Sequence, residues 1–388
     1  MREFDVVVVG GGAAGLSLTR RLAGANTVRA ALVEPPPGPL RAPVRTWCFW
    51  EPDGGPWDAV LAARWDRLEV VGPDGRGRAA PAAPLVYKML RSTDFEAHVR
   101  AGLGGRVAEV EAAVTGIEDG PDRAVVRAVD AAGAPVELAA RWVFDSRPLP
   151  ALPPARTTLL QHFRGWFVRT PDAAFDPDAA VLMDFRPPQP RNGTAFGYVL
   201  PLSERTALVE YTEFTREVLD DAGYDAALRD YTGRVLGLGP FEVTAVEQGA
   251  IPMTDGRFRT RAGRRVFRIG TAGGATRPST GYTFSGVQRQ AAAVAAALAA
   301  GRTPVPPVPH RRRHLLMDAV LLRALDTGRV DGAEFFARLF RRNALADVLR
   351  FLDGGSGFGR DLRMGATVPV APMALTTAEY AGRLLTGR

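Results

Sequence analysis

A β-branched apolar run, Phe4-Asp5-Val6-Val7-Val8-Val9, feeds directly into Gly10-Gly11-Gly12-Ala13-Ala14-Gly15, and this junction constrains the chain more than any other stretch. The run has the composition of a strand buried on both faces. The pattern predicts a helix from the glycines to about residue 25, then a second strand over Ala30-Ala31-Leu32-Val33 that ends at Glu34. G-x-G-x-x-G in a strand–helix–strand frame has a physical purpose. Gly10 permits the tight turn, Gly12 lets the backbone approach a pyrophosphate, and Gly15 allows close helix packing, with Ala14 inside the same fingerprint. Glu34 stands where a carboxylate binds ribose hydroxyls. The N-terminal part reads as a dinucleotide-binding unit.

A second glycine-rich segment, 271–286, follows the expected strand Arg265-Val266-Phe267-Arg268-Ile269-Gly270 and leads into an alanine-rich helix over 287–300. Gly270, Gly273, Gly274 and Gly281 are its candidate cofactor positions, because a helix N-terminus after a glycine loop is an anion site. Two such segments far apart in one chain suit a long cofactor such as FAD better than NAD. Gly237-Leu238-Gly239 is followed by Pro240 and lacks the strand–helix frame of a separate nicotinamide domain. Thr93-Asp94-Phe95-Glu96 reads as a capping box opening a helix to about residue 103. Short strands are expected over 107–144 and again over 161–253, interrupted by one helix near 224–236. The expected architecture is α/β. A Rossmann-like FAD-binding domain over 1–150 and 251–308 carries an inserted, mostly antiparallel substrate sheet over 151–250 and a helical C-terminal region over 309–388.

The segment Arg45-Thr46-Trp47-Cys48-Phe49-Trp50-Glu51 packs three aromatic rings and one carboxylate into seven residues. Aromatic faces attract cations, by up to about 2 kcal/mol each when desolvated, and a carboxylic acid in an apolar pocket resists ionisation. Beside a flavin this group suits an enzyme that makes and shelters a carbocation on an oily substrate; taken alone it also suits core packing.

Composition narrows the surroundings. Hydrophobic residues make up 46%, too few for a multi-span membrane protein. The longest apolar run, 291–300, falls short of the roughly 18 residues that span a bilayer. Residues 4–10 already read as strand, so no signal peptide is expected. Cys48 is the single cysteine, which fits a reducing cytoplasm. Basic residues outnumber acidic ones by 49 to 42, and Lys88 is the only lysine. That excess would serve nucleic acid or an anionic membrane; with no nucleic-acid motif present, a membrane surface is favoured. Beyond residue 309 the chain reads as amphipathic helix. Leu315, Leu316, Val320, Leu321 and Leu325 share one face, and Phe335, Phe336, Leu339 and Phe340 another. Arg311-Arg312-Arg313, Arg338, Arg341 and Arg342 flank them, so these helices would either lie on a membrane or cap the catalytic domain. His98, His162, His310 and His314 do not cluster with cysteine or acids, so no metal site is expected.

Further motifs lie along the chain: Arg91-Ser92-x-Asp94-Phe95, Asp145-Ser146-Arg147-Pro148, Met183-Asp184, Leu200-Pro201-Leu202-Ser203, Leu208-Val209-Glu210-x-Thr212, Ile269-Gly270-Thr271-Ala272-Gly273-Gly274 and Pro278-Ser279-Thr280-Gly281-Tyr282. With segment 45–51, which matches an R-T-W-C-F-W-E pattern, they resemble the flavoprotein-type lycopene cyclases, most closely the bacterial lycopene beta-cyclases. The resemblance spans nearly the whole chain in the same order. It implies a glutathione-reductase/hydroxylase-type flavoprotein and an isomerase that closes the acyclic ends of lycopene, through gamma-carotene, to beta-carotene. It also implies that FAD is active in a reduced, anionic form, with NAD(P)H as the indirect electron source and a separate flavin reductase as a possible partner.

Closing such a ring requires a proton on the terminal double bond, attack by the neighbouring double bond on the tertiary cation, and loss of a proton to a base. The acid must be positioned and held protonated, and the cation needs negative potential in a dry pocket. Glu210 is the expected acid or base, since it stands among apolar residues on an expected strand and at the family's acidic position. Asp184 and Glu51 are reserve carboxylates. Trp47, Phe49 and Trp50 are expected to line the cavity, and Arg91 to contact the cofactor. The chain departs from plant-like members at Tyr211, where they carry a second acid, which puts a two-carboxylate mechanism there in doubt. A lipid-dissolved substrate such as lycopene or a related acyclic carotene implies a cytoplasmic protein peripheral to the inner face of the cell membrane. Two rivals share the architecture: an FAD-dependent monooxygenase or a prenyl reductase acting on an isoprenoid, either of which consumes reductant stoichiometrically. A third, a non-catalytic carotenoid carrier, would release its ligand unchanged.

Overall fold

Strand Arg2–Val9 runs through a six-stranded sheet, parallel to Ala30–Glu34 on one side and Pro135–Asp145 on the other. Val6, Val7, Val8 and Val9 are all buried, as a strand covered on both faces requires. Val107–Glu118 and Val266–Arg268 continue the sheet in parallel at its two ends. Ala124–Asp130 pairs antiparallel with both Val107–Glu118 and Pro135–Asp145. Helix Ala13–Ala25 packs against the later helix Phe284–Ala299, where Gln288 donates to Ser17 Oγ at 2.8 Å. The architecture is that of a computed structural model, which describes residues 1–25 and 28–386.

A second, seven-stranded sheet has the order Glu242–Thr254, Thr158–Arg169, Thr206–Thr215, Thr194–Pro201, Ala179–Asp184, Arg67–Val71, Gly77–Pro81. Every neighbouring pair is antiparallel except Ala179–Asp184 with Arg67–Val71. The mostly antiparallel sheet expected from sequence is therefore present, but residues 67–81, read there as part of the nucleotide-binding unit, supply two of its strands. Burial decides the matter: Leu68 packs with Trp65 and Leu182 in the second sheet's core. A small third sheet pairs Thr46–Pro52 and Ala63–Trp65 with Leu85–Arg91. Helix Ser92–Leu103 starts without the expected capping box. Arg91 is its N-cap residue and no side chain caps it, while Thr93 lies inside the first turn with its hydroxyl near Asp94.

Among the described residues five helices close the chain: Arg312–Asp326, Gly332–Arg342, Leu345–Leu352, Phe358–Gly365 and Val370–Thr386. Leu322, Leu325, Phe335, Phe336 and Leu339 are buried in one core with the second sheet, so the first two helices form a cap. The last two leave Phe358, Leu362, Val370 and Leu375 exposed. No helix among the described residues is long and apolar enough to cross a membrane.

Candidate active site

Where the third sheet meets the second lies a cavity of about 170 Å³, far beyond the roughly 10–15 Å³ that holds one water. Strand Thr206–Thr215 walls it. Successive residues of a strand point to opposite faces. Leu208, Glu210 and Phe214 face the cavity, while Val209 and Tyr211 pack on the other side with Tyr224, Leu228 and Tyr231. The Tyr211 hydroxyl donates to Glu213 on that far side at 2.8 Å. An acid at position 211 would thus point away from Glu210, so a single carboxyl at this point of the strand reaches the cavity. Gly165 is the register partner of Glu210, and a Cβ there would meet Leu208 Cδ1 at 2.7 Å and Glu210 Cβ at 3.4 Å. The missing side chain makes room for the carboxyl.

The Glu210 carboxyl is enclosed by protein yet keeps a surface toward the cavity. Burial pushes its pKa up to about 8, with a small addition from Glu247, against the opposing Thr212 hydroxyl, which donates to Oε1 at 2.6 Å. In the same lining Tyr198 is the register partner of Glu210 on the neighbouring strand, and the Tyr87 hydroxyl bonds to those of Tyr198, at 2.7 Å, and Tyr282, at 3.0 Å. Burial raises all three phenols above their ordinary value and pushes the Cys48 thiol up to about 12, so these groups stay neutral. Glu247 also lines the cavity, but its carboxylate accepts from Thr46 N at 2.7 Å, Thr46 Oγ1 at 2.6 Å and Arg91 at 3.2 Å. Glu210 is left as the carboxyl without a charged partner in a pocket walled mostly by aromatic and aliphatic side chains.

The other residues singled out from sequence lie in different surroundings. Asp184 is fully buried, held by Arg186 at 2.5 Å and by the Tyr231 hydroxyl at 3.0 Å, and it does not line the cavity. Glu51 also lies outside the cavity lining and, with Asp58, neutralises Lys88, which is wholly buried. Of the three aromatics only Trp47 touches the cavity. Phe49 packs on Phe284 in the core under the first sheet, and Trp50 packs on Tyr282 and donates to Leu349 O at 3.0 Å. Their alternation along strand Thr46–Pro52 sends them into two different cores. Arg91, expected at the cofactor, stacks on Phe167 and pairs with Glu247. Glu247, Tyr87, Tyr198 and Gln161 are cavity residues that the sequence reading did not single out.

The glycine segments converge. Gly10 holds a φ of +96°, and a Cβ on Gly15 would fall 1.8 Å from Gly10 O. A Cβ on Gly270, also at positive φ, would meet Ala14 Cβ at 2.9 Å, so the second segment touches the start of the first helix. Gly273 and Gly274 continue that turn. Glu34 ends its strand, bonded to Arg41 and Arg100. At Gly12 no atom of the described residues lies within 4 Å of where a Cβ would stand, which leaves room for a phosphate-bearing cofactor. Farther along, a Cβ on Gly281 would stand 2.0 Å from Gln161 Oε1, a buried oxygen with no hydrogen-bond partner among the described residues. These features fit a long dinucleotide that reaches from Glu34 toward the cavity.

The loop 276–283 is tied to the cap. Arg277 donates to Asp318 through Nε at 2.7 Å and Nη2 at 2.9 Å, and Ser279 donates to the same carboxylate at 2.7 Å, all buried. Removing one partner of a buried pair costs about 3–5 kcal/mol because the other charge is left uncompensated. Arg277→Met is accordingly expected to lower unfolding stability by about that amount, read from urea titrations. An effect within experimental error would show that the pair does not anchor the loop.

The fold is that of the glutathione-reductase/hydroxylase-type flavoproteins. A geranylgeranyl bacteriochlorophyll reductase-like protein from Thermoplasma acidophilum superposes with a TM-score of 0.69 at 14% identity, over 96% of this chain and 98% of that one. The p-nitrophenol 4-monooxygenase from Pseudomonas putida gives a TM-score of 0.61 at 16% identity, over 98% of both chains. Aklavinone-11 hydroxylase, solved with FAD and aklavinone, gives 0.60 at 19% identity over 77% of this chain and 63% of that one. At such identities these likenesses show the fold alone. No curated protein sequence matches the chain. The family model for lycopene cyclase protein matches residues 5–378, and the chain belongs to that family.

Proposed function

We propose that the protein is a lycopene beta-cyclase, an isomerase that closes the acyclic ends of lycopene or a related carotene into β-rings without net oxidation. The observation that carries this reading is Glu210, a carboxyl kept protonated by burial in an aromatic-walled cavity. Glu210 delivers a proton to the terminal double bond. The phenol oxygens and ring faces of Tyr87, Tyr198 and Tyr282 surround the cation with negative potential. The carboxylate left on Glu210 faces the same space and takes the proton lost when the ring alkene forms. FAD, held by Gly10, Gly12, Gly15, Glu34 and the 270–274 turn, would supply further negative charge when bound in its reduced form, NAD(P)H being the indirect reductant. FAD is supported by the glycine cradle and by its presence in aklavinone-11 hydroxylase of the same fold. Incubation with lycopene and reduced FAD, followed by pigment chromatography, tests the reading. Cyclic carotene of unchanged formula supports it; an oxygenated or hydrogenated product would favour the monooxygenase or reductase, and unaltered lycopene the carrier.

Two expectations follow from this reading. Activity should fall as pH rises through about 8, because the acid form of Glu210 is lost. The same raised value contributes stability that is present below about 4.5 and lost as pH rises through about 8. Wild type should therefore lose stability relative to Glu210→Gln between pH 5 and pH 9, as measured by urea unfolding at both; a constant difference would contradict the burial of this carboxyl. The second concerns the membrane. Exposed Phe358, Leu362, Val370 and Leu375 lie on the last two helices beside exposed Arg360 and Arg363, a pattern suited to an anionic bilayer surface. The protein should sediment with anionic liposomes and be released by high salt or mild detergent; complete recovery in the supernatant would oppose it.

A further inference from the structure

Behind the candidate active site lies a second cavity, of about 260 Å³, between the cap helices. It shares Ser279, Phe336 and Leu352 with the lining of the first, so the two cavities are separated by no more than one layer of side chains. Its walls are apolar, from Val320, Leu321 and Phe335 to Met364 and Met373. Leu316, Gly365 and Thr377 belong to the lining and are also exposed, which places its mouth on the outer face of the cap. That mouth lies beside the exposed apolar residues Leu362, Val370 and Leu375 of the last two helices. Close-packed interiors seldom keep apolar voids of this size. A polyene as long as lycopene with one end beside Glu210 exceeds the first cavity, of about 170 Å³, and Asp318, the only charged group among the described residues of the second cavity's lining, is already paired with Arg277.

We infer that the second cavity is a binding site for the unreacted remainder of a long linear polyene, so that Phe336 and Leu352 stand at a waist through which the chain threads from the outer face of the cap to Glu210. This inference rests on the cyclase reading for the identity of the chain. It assigns chain-length selection to the cap: a short molecule bearing the same acyclic end fills the first cavity only, and a long one fills both. Substitution at the mouth should therefore act on long chains and spare the chemistry.

Leu316→Trp and Thr377→Trp test it, since both positions are exposed and admit a larger side chain without disturbing a core. The probes are lycopene and a synthetic polyene of half its length with the same acyclic end. In either variant the ratio of kcat/KM for the long probe to that for the short one should fall at least about tenfold. A ratio within twofold of wild type in both variants would overturn the inference. A second arm needs no turnover. On a Glu210→Gln background, retention of lycopene through gel filtration should persist and should be lost when Leu316→Trp is added. Retention that survives the added substitution would also overturn it. If wild type forms no ring but retains lycopene, and Leu316→Trp abolishes that retention, the cyclase reading fails while the second-cavity site stands, which keeps the two failures apart.

Discussion

Glu210→Gln should retain flavin and fold yet cyclise lycopene at least about a hundredfold more slowly, the usual scale for losing a positioned acid or base. Glutamine keeps the volume beside Gly165 and can still accept from Thr212, but it has no proton to give. The effect should be specific. Asp184→Asn breaks a pair with Arg186 and Tyr231 on the far side of the sheet and should act through stability. Glu51→Gln removes one of two acids around buried Lys88 and should do the same. Turnover by each variant, compared with its urea midpoint, separates chemistry from folding. Near-normal turnover by Glu210→Gln would remove it from the mechanism, and a catalytic loss in Asp184→Asn at unchanged stability would move the role there.

Gly12→Leu should abolish FAD retention and turnover together while leaving the apo-protein's stability within about 0.5 kcal/mol, as for substitutions that strike no packed neighbour. A side chain there enters open space that the cofactor is expected to fill. Gly15→Leu should lose flavin for a different reason, because its Cβ would collide with Gly10 O and the helix could no longer seat on the strand. Flavin absorbance after gel filtration and urea titration of the apo-proteins distinguish the two. Stoichiometric FAD in Gly12→Leu would show that the cofactor lies elsewhere.

The glycine fingerprint was legible in the sequence because it is a backbone requirement, met locally at Gly10, Gly12 and Gly15. The place of Glu210 on the cavity wall was legible because an acid within an apolar strand pattern is conspicuous and the family resemblance marks the same position. Tyr198 was missed although the signal existed: a hairpin closing at Leu202-Ser203-Glu204-Arg205 puts Tyr198 in register with Glu210. Tyr87, Gln161 and Glu247 come from strands far apart in the chain and meet only through tertiary packing, which no local pattern encodes. The aromatic segment misled in part. Period-two alternation puts residue 50 on the opposite face of its strand from residues 47 and 49. Glu51 drew attention as an acid, but its partner Lys88 is a buried lysine, against the strong preference of lysine for the surface. The strands within residues 67–81 joined the second sheet by long-range pairing that position in the chain did not reveal.

On this mechanism Glu210 transfers a proton in a reaction that changes no oxidation state. The direct measurement is anaerobic incubation of the protein with lycopene and chemically reduced FAD in heavy water, with the mass of each pigment determined after chromatography. Each turnover leaves Glu210 carrying the proton taken from the substrate, which exchanges with solvent before the next. This mechanism therefore predicts many turnovers per flavin and cyclic product with one deuterium for each ring formed. Product heavier by oxygen or by two added hydrogens, consumption of one reductant per ring, or cyclic carotene free of deuterium would contradict it.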